Sequence, residues 1–187
     1  MPKYRKMLHE FDAPYIQSLV ELIETQRKTT LIIWSLDYAE HSILPLWFKH
    51  YPDDSRPKNS LDVAHAWLGG TIKLTQARPI ILECHAAARE AENNPVAQAA
   101  ARAIGQCSST IHSPTHCIGL ALYGALAVAY DTHGIDSPWT QLEQCAAEEC
   151  ERMLDALRTV AIENEENPTK INWKGRVYFQ PGINKHQ

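Results

Sequence analysis

Between Ala86 and Ala103, nine of eighteen positions are alanine. Side chains that small let helix axes approach closely, so the middle of the chain is built for tight helix packing. The rest of the sequence agrees, since apolar residues recur at helical spacing and strand-type alternation is confined to the C-terminal end.

Seven helices are predicted. Pro14 to about Thr25 places Ile16, Leu19, Val20 and Ile23 on one face, and a second helix runs from about Thr29 to His50. Pro45 cannot donate to the carbonyl of His41, so this second helix should kink or restart there. Asn59 or Ser60 can cap a third helix through Trp67, ended by Gly69-Gly70. A fourth spans about Arg78 to Glu92, and a fifth starts near Pro95, where proline suits the first turn. Ser113-Pro114 opens a sixth to about Tyr130, and a last one covers about Pro138 to Asn164. After Pro168, Ile171, Trp173, Val177 and Phe179 alternate with polar residues around Lys174-Gly175, which fits a short hairpin or an extended arm over about 168–187. The economical reading of residues 1–187 is one all-α domain, a bundle of about seven helices with that arm.

Composition narrows the function classes. The 187 residues suffice for one well-buried core, and the formal charge of −4 argues against generic nucleic-acid binding, which shows a basic stripe or high pI. No apolar run approaches the roughly 18 residues of a membrane span, and no signal-peptide pattern follows the basic start, so a cytoplasmic address is expected. Cys84, Cys107, Cys117, Cys145 and Cys150 are odd in number and include no C-x-x-C, which suggests reduced core thiols.

The polar residues worth following are those on apolar helices. Asp37 and Glu40 fall beside Ile33 and Leu44, and carboxylates flanked by aliphatics need a donor, a cation or a wet pocket. His85 and Arg89 are four apart on the fourth helix and so share a stripe, which makes them the preferred partners for the two acids. His112 and His116 have the spacing of a two-histidine metal site, yet Pro114 lies between them and no cysteine pair completes a closed zinc shell. A tightly held metal is therefore not expected, nor is a cofactor; a place for one of these imidazoles in the Asp37–Glu40–His85 network, or beside Gly105 and Gly119, is.

Taken in order, Trp34-x-Leu36-Asp37-x-Ala39-Glu40, Leu44-Pro45-Leu46, Tyr51-Pro52-x-Asp54-x-Arg56-Pro57, His85-Ala86-Ala87-Ala88-Arg89-Glu90-Ala91 and Ala101-Arg102-Ala103-x-Gly105 ending in His112-x-x-x-His116 resemble the immunity proteins of bacterial polymorphic toxin systems, specifically the immunity-five-like helical domain. The resemblance spans roughly residues 30–130. It implies an all-helical cytoplasmic protein that protects its producer against a toxin.

Two function classes follow. One is a binding protein whose partner is a cognate protein toxin: Glu143 to Glu166 holds eight acids against Arg152 and Arg158, and such a face, with Glu148, Glu149 and Asp155 as docking candidates, can steer a basic partner. The other is an enzyme or a small-ligand or metal binder using Asp37, Glu40, His85, Arg89, His112 and His116, where Arg89 would hold an anionic group. No reaction-defining motif favours the second, so binding without catalysis is preferred. Neither class predicts nucleic-acid or membrane contact, and both leave a homo-oligomer open.

Overall fold

The computed structural model describes residues 4–173, and among these all regular structure is helical. Helix α1 (Pro14–Glu24) starts on proline and buries Ile16, Leu19, Val20 and Ile23, the stripe its spacing predicts. Each such side chain withdrawn from water contributes about 1.5–3 kcal/mol.

The second predicted helix is observed in three pieces: α2 (Lys28–Tyr38), a π-helical turn (Ala39–Ile43) and α3 (Leu44–His50). The interruption lies just ahead of Pro45, whose missing N–H leaves the ordinary ladder one bond short. The helix there widens, and the Leu44 N–H reaches back to the Ala39 carbonyl.

Helix α4 (Arg56–Leu68) begins earlier than Asn59, because Asp54 Oδ1 accepts the Arg56 N–H at 3.0 Å and Pro57 fits the first turn. It ends at Gly69-Gly70, where Gly70 takes a φ of 72°. Helix α5 (Leu74–Glu90) also begins earlier than predicted: the Gln76 side chain accepts the Lys73 N–H at 2.9 Å, covering an exposed donor ahead of Pro79. Helix α6 (Pro95–Ser109) opens as expected, with Asn94 Oδ1 accepting the Ala97 N–H at 3.1 Å.

The sixth predicted helix is not continuous. A 3₁₀ turn (Pro114–Ile118) and a π-helical turn (Leu120–Ala125) precede α7 (Leu126–His133), and α8 (Trp139–Val160) closes the bundle.

Alanine explains the architecture. Helix α6 is the axis, buried at Ala97, Ala99, Ala100, Ala101 and Ala103 and packed against α2, α3, α4, α5 and α7. The two π turns also meet: a β-carbon at Gly124 would stand 3.2 Å from Ile43 Cδ1. The five cysteines are buried and unpaired, as expected for small core residues, and burial pushes the Cys84 and Cys117 thiols up to about 12.

Past Val160 the chain leaves the helix, turns at Glu163-Asn164 and passes along α1. The Gln26 carbonyl accepts the Thr169 N–H at 2.8 Å, and Trp173 Nε1 donates to Glu24 Oε1 at 2.6 Å. An arm is thus present up to Trp173; the hairpin signal at Lys174-Gly175 lies outside the described residues.

Candidate functional site: an acidic ridge and a cationic seam

Asp37 and Glu40 do not meet His85 and Arg89. The Asp37 side chain is 73 % exposed, and its neighbour is His41 of the same helix, whose Nδ1 lies 3.3 Å from Oδ1. Glu40 turns toward α4, where His65 Nε2 is 3.3 Å from its carboxylate. The expectation failed because Ile33, taken as apolar flanking, is itself 42 % exposed. The Ile33–Asp37 side of α2 is its solvent side, while Leu31, Ile32, Trp34 and Leu36 face inward. Helix α5, which carries His85 and Arg89, packs chiefly on α4 and α6 instead.

The Tyr51-to-Pro57 motif is a structural clasp. Asp54 accepts from the Arg56 guanidinium through both oxygens, at 3.0 and 2.7 Å, and Arg56 also reaches Glu90 on α5 at 2.6 Å. Hydrogen bonds from Arg56 hold the Asp54 carboxyl below its usual range. The Trp47 indole donates to the Asp54 carbonyl at 2.7 Å and stacks on Tyr51.

His85 lies in the α5–α6 seam. Its ring covers Gly105, where a β-carbon would stand 2.6 Å from Cε1, and Nε2 is 3.4 Å from Ser109 Oγ. Burial, and then the positive charges of Arg89 and Arg102, hold its pKa below the ordinary value. Arg89 is exposed, one turn along the same face. Arg102, not among the sequence candidates, extends from α6 over the Tyr123 ring at 6.0 Å. Its buried Nε has no hydrogen-bond partner among the described residues.

His112 and His116 fall in different backbone settings. His112 is exposed in the turn after α6, whereas His116 sits in the 3₁₀ turn that Pro114 begins, where positions four apart do not share a face. His116 Nδ1 pairs with Gln106 Oε1 at 2.7 Å, and Gln106 in turn packs against Gly119. Among the described residues, no three His, Cys, Asp or Glu side chains are grouped to hold a metal ion.

On α8 the three docking candidates separate. Glu148 and Asp155 are exposed, and Asp155 pairs along the helix with Arg158 at 2.8 Å. Glu149 is not a surface acid: it is 3 % exposed, accepts the Tyr38 hydroxyl at 2.7 Å and is closed by Arg152 at 2.6 Å. It continues the buried stripe of Leu142, Cys145, Ala146 and Met153, a spacing visible in the sequence that would have distinguished it from Glu148.

What remains outward is a ridge of Glu148, Glu151 and Asp155 beside a cleft of about 480 Å³ between α1 and α8. Tyr15 and Leu154 supply apolar surface in the cleft, and Glu151, Asp155 and Arg158 line it as well. Burial and the nearby Glu143 carboxylate raise the Tyr15 phenol well above its ordinary value, so it remains a neutral hydrogen-bonding group.

Among the described residues no helix is long and apolar enough to cross a membrane. No curated protein and no solved structure matches the chain. The family described as "Imm-5 like putative immunity protein" matches residues 21–156, a longer stretch than the sequence motifs alone span, and the chain belongs to that family.

Proposed function

We propose that this protein acts in the bacterial cytoplasm by binding a cognate toxin and blocking it, with the α8 ridge as the contact for a basic toxin surface. Family membership carries the reading, because an immunity protein implies a toxin as its partner. The ridge supplies the surface. Glu148, Glu151 and Asp155 project into solvent beside an apolar strip at Tyr15 and Leu154, so charge can guide encounter while the cleft gives shape. Glu149 stays inside, where with Tyr38 and Arg152 it fixes α8 against α2.

Direct binding is favoured over the enzyme or ligand-binding reading by dispersal of the polar candidates. Asp37 pairs with His41, Glu40 with His65 and His116 with Gln106, and none of these contacts includes His85 or Arg89. General acid–base work needs such groups within hydrogen-bond reach of one substrate atom.

The test is co-expression with a cognate toxin domain. Cells making both should grow, and replacing Glu148, Glu151 and Asp155 by lysine together should abolish protection while the protein remains folded. Protection unchanged by that triple substitution would place the contact elsewhere.

A further inference from the structure

Eight arginines lie among the described residues, and Arg5, Arg27, Arg56, Arg152 and Arg158 are each closed by a carboxylate of this chain. Within the same residues Arg78, Arg89 and Arg102 form no ion pair, although acids outnumber Lys plus Arg, by 22 to 18 over the full sequence. The three are not scattered. Arg78, Leu82, His85 and Arg89 follow at steps of four, three and four, which is one stripe of α5. Arg102 faces that stripe from α6, close enough for its charge to act on His85 together with that of Arg89.

The acids of α5 do not neutralise the stripe. Glu90 feels Arg89 but is engaged by Arg56 at 2.6 Å, and Glu83 lies roughly 100° round the helix from Leu82. Leu82, flanked by Arg78 and Arg89, is 54 % exposed, the largest exposure of any bulky apolar side chain described. Arginine around an apolar side chain is the composition of protein-interface centres. The buried Arg102 Nε adds a donor that lacks an acceptor within the described chain.

We propose that the α5–α6 seam of Arg78, Leu82, Arg89 and Arg102 is a docking surface for an acidic polypeptide segment. The partner presents carboxylates over about 16 Å, the rise of the eleven helical steps from Arg78 to Arg89, and one apolar side chain to cover Leu82. This surface is opposite in sign to the α8 ridge and lies on different helices, so it goes beyond the toxin contact proposed above and can fail independently of it.

The probe is a synthetic acidic peptide with one leucine between glutamates, titrated at low ionic strength into the ¹⁵N-labelled full chain, with a DNA oligonucleotide of equal charge as comparison. The expected result is amide shifts on α5 and α6, with affinity falling about tenfold or more for Arg78→Glu and for Arg89→Glu, while Arg158→Glu on α8 binds as before. Arg78 and Arg89 are exposed, so these variants keep the fold even where Arg102→Glu does not. No binding, shifts away from α5–α6, affinity indifferent to Arg78→Glu and Arg89→Glu, or tighter binding of the oligonucleotide would each overturn the proposal.

Discussion

The Tyr38 hydroxyl donates a 2.7 Å hydrogen bond to Glu149, so a carboxylate in the middle of α8 is held by the last residue of α2. Arg152 supplies the counter-charge from the solvent side. The two partners are therefore not equivalent. Removing Arg152 strands a buried carboxylate, whereas Glu149→Gln leaves behind an arginine that water can solvate. We expect Arg152→Ala to cost about 3 kcal/mol and Glu149→Gln about 1–2 kcal/mol in urea unfolding, with the order as the critical result.

Gly105 is required by the His85 ring above it. A methyl group there would stand 2.6 Å from Cε1, so Gly105→Ala should destabilise by about 1–3 kcal/mol despite the better helix propensity of alanine. Adding His85→Ala removes the clash, and the double variant should be more stable than the two single effects summed. At Gly119 the obstacle is Gln106 Cβ at 2.4 Å, an atom fixed to the backbone, and Gly119→Ala should cost more than Gly105→Ala.

His85 gives stability a dependence on acid. Its folded pKa lies below the unfolded value of 6.5, through burial first and then Arg89 and Arg102, with the neutral Ser109 hydroxyl at Nε2. As pH falls below about 6.5 the unfolded chain takes up the proton first, so stability declines until the folded form is protonated too. His41 runs the other way: the Asp37 carbonyl and carboxylate raise its pKa, and its contribution is lost as pH rises. In urea midpoints measured between about pH 5 and 8, His85→Gln should flatten the acid-side decline and His41→Gln should steepen it.

Gln26 holds the C-terminal arm. Its buried side chain accepts the Ile162 N–H at 2.7 Å and donates to the Ile162 carbonyl at 3.2 Å. Gln26→Ala should cost about 1–2 kcal/mol and speed proteolysis after Val160, while cleavage within α1 to α8 stays slow.

Much of the fold was legible because its signals are local. Pro14, Pro95 and Gly69-Gly70 mark helix ends by their own backbone chemistry, and Pro45 marks the break in the second helix. The capping by Asp54 and Gln76 was missed because it begins α4 and α5 before their apolar periodicity does. The site was harder because it depends on which face is buried. Ile33 is apolar and exposed, Glu149 is charged and buried, and each reverses the usual rule. Glu149 could have been identified from its place in the apolar stripe of α8; the pairing of Glu40 with His65 depends on how the π turn after α2 meets α4, which residue spacing does not encode.

The most direct test of the proposed toxin contact is the association rate of a cognate toxin domain, measured by stopped flow against ionic strength. The account predicts fast, salt-sensitive association for the native chain. It also predicts a rate lower by about tenfold or more at low salt when Glu148, Glu151 and Asp155 are replaced by lysine, with melting unchanged. The same rate and the same salt dependence in that triple variant would contradict it.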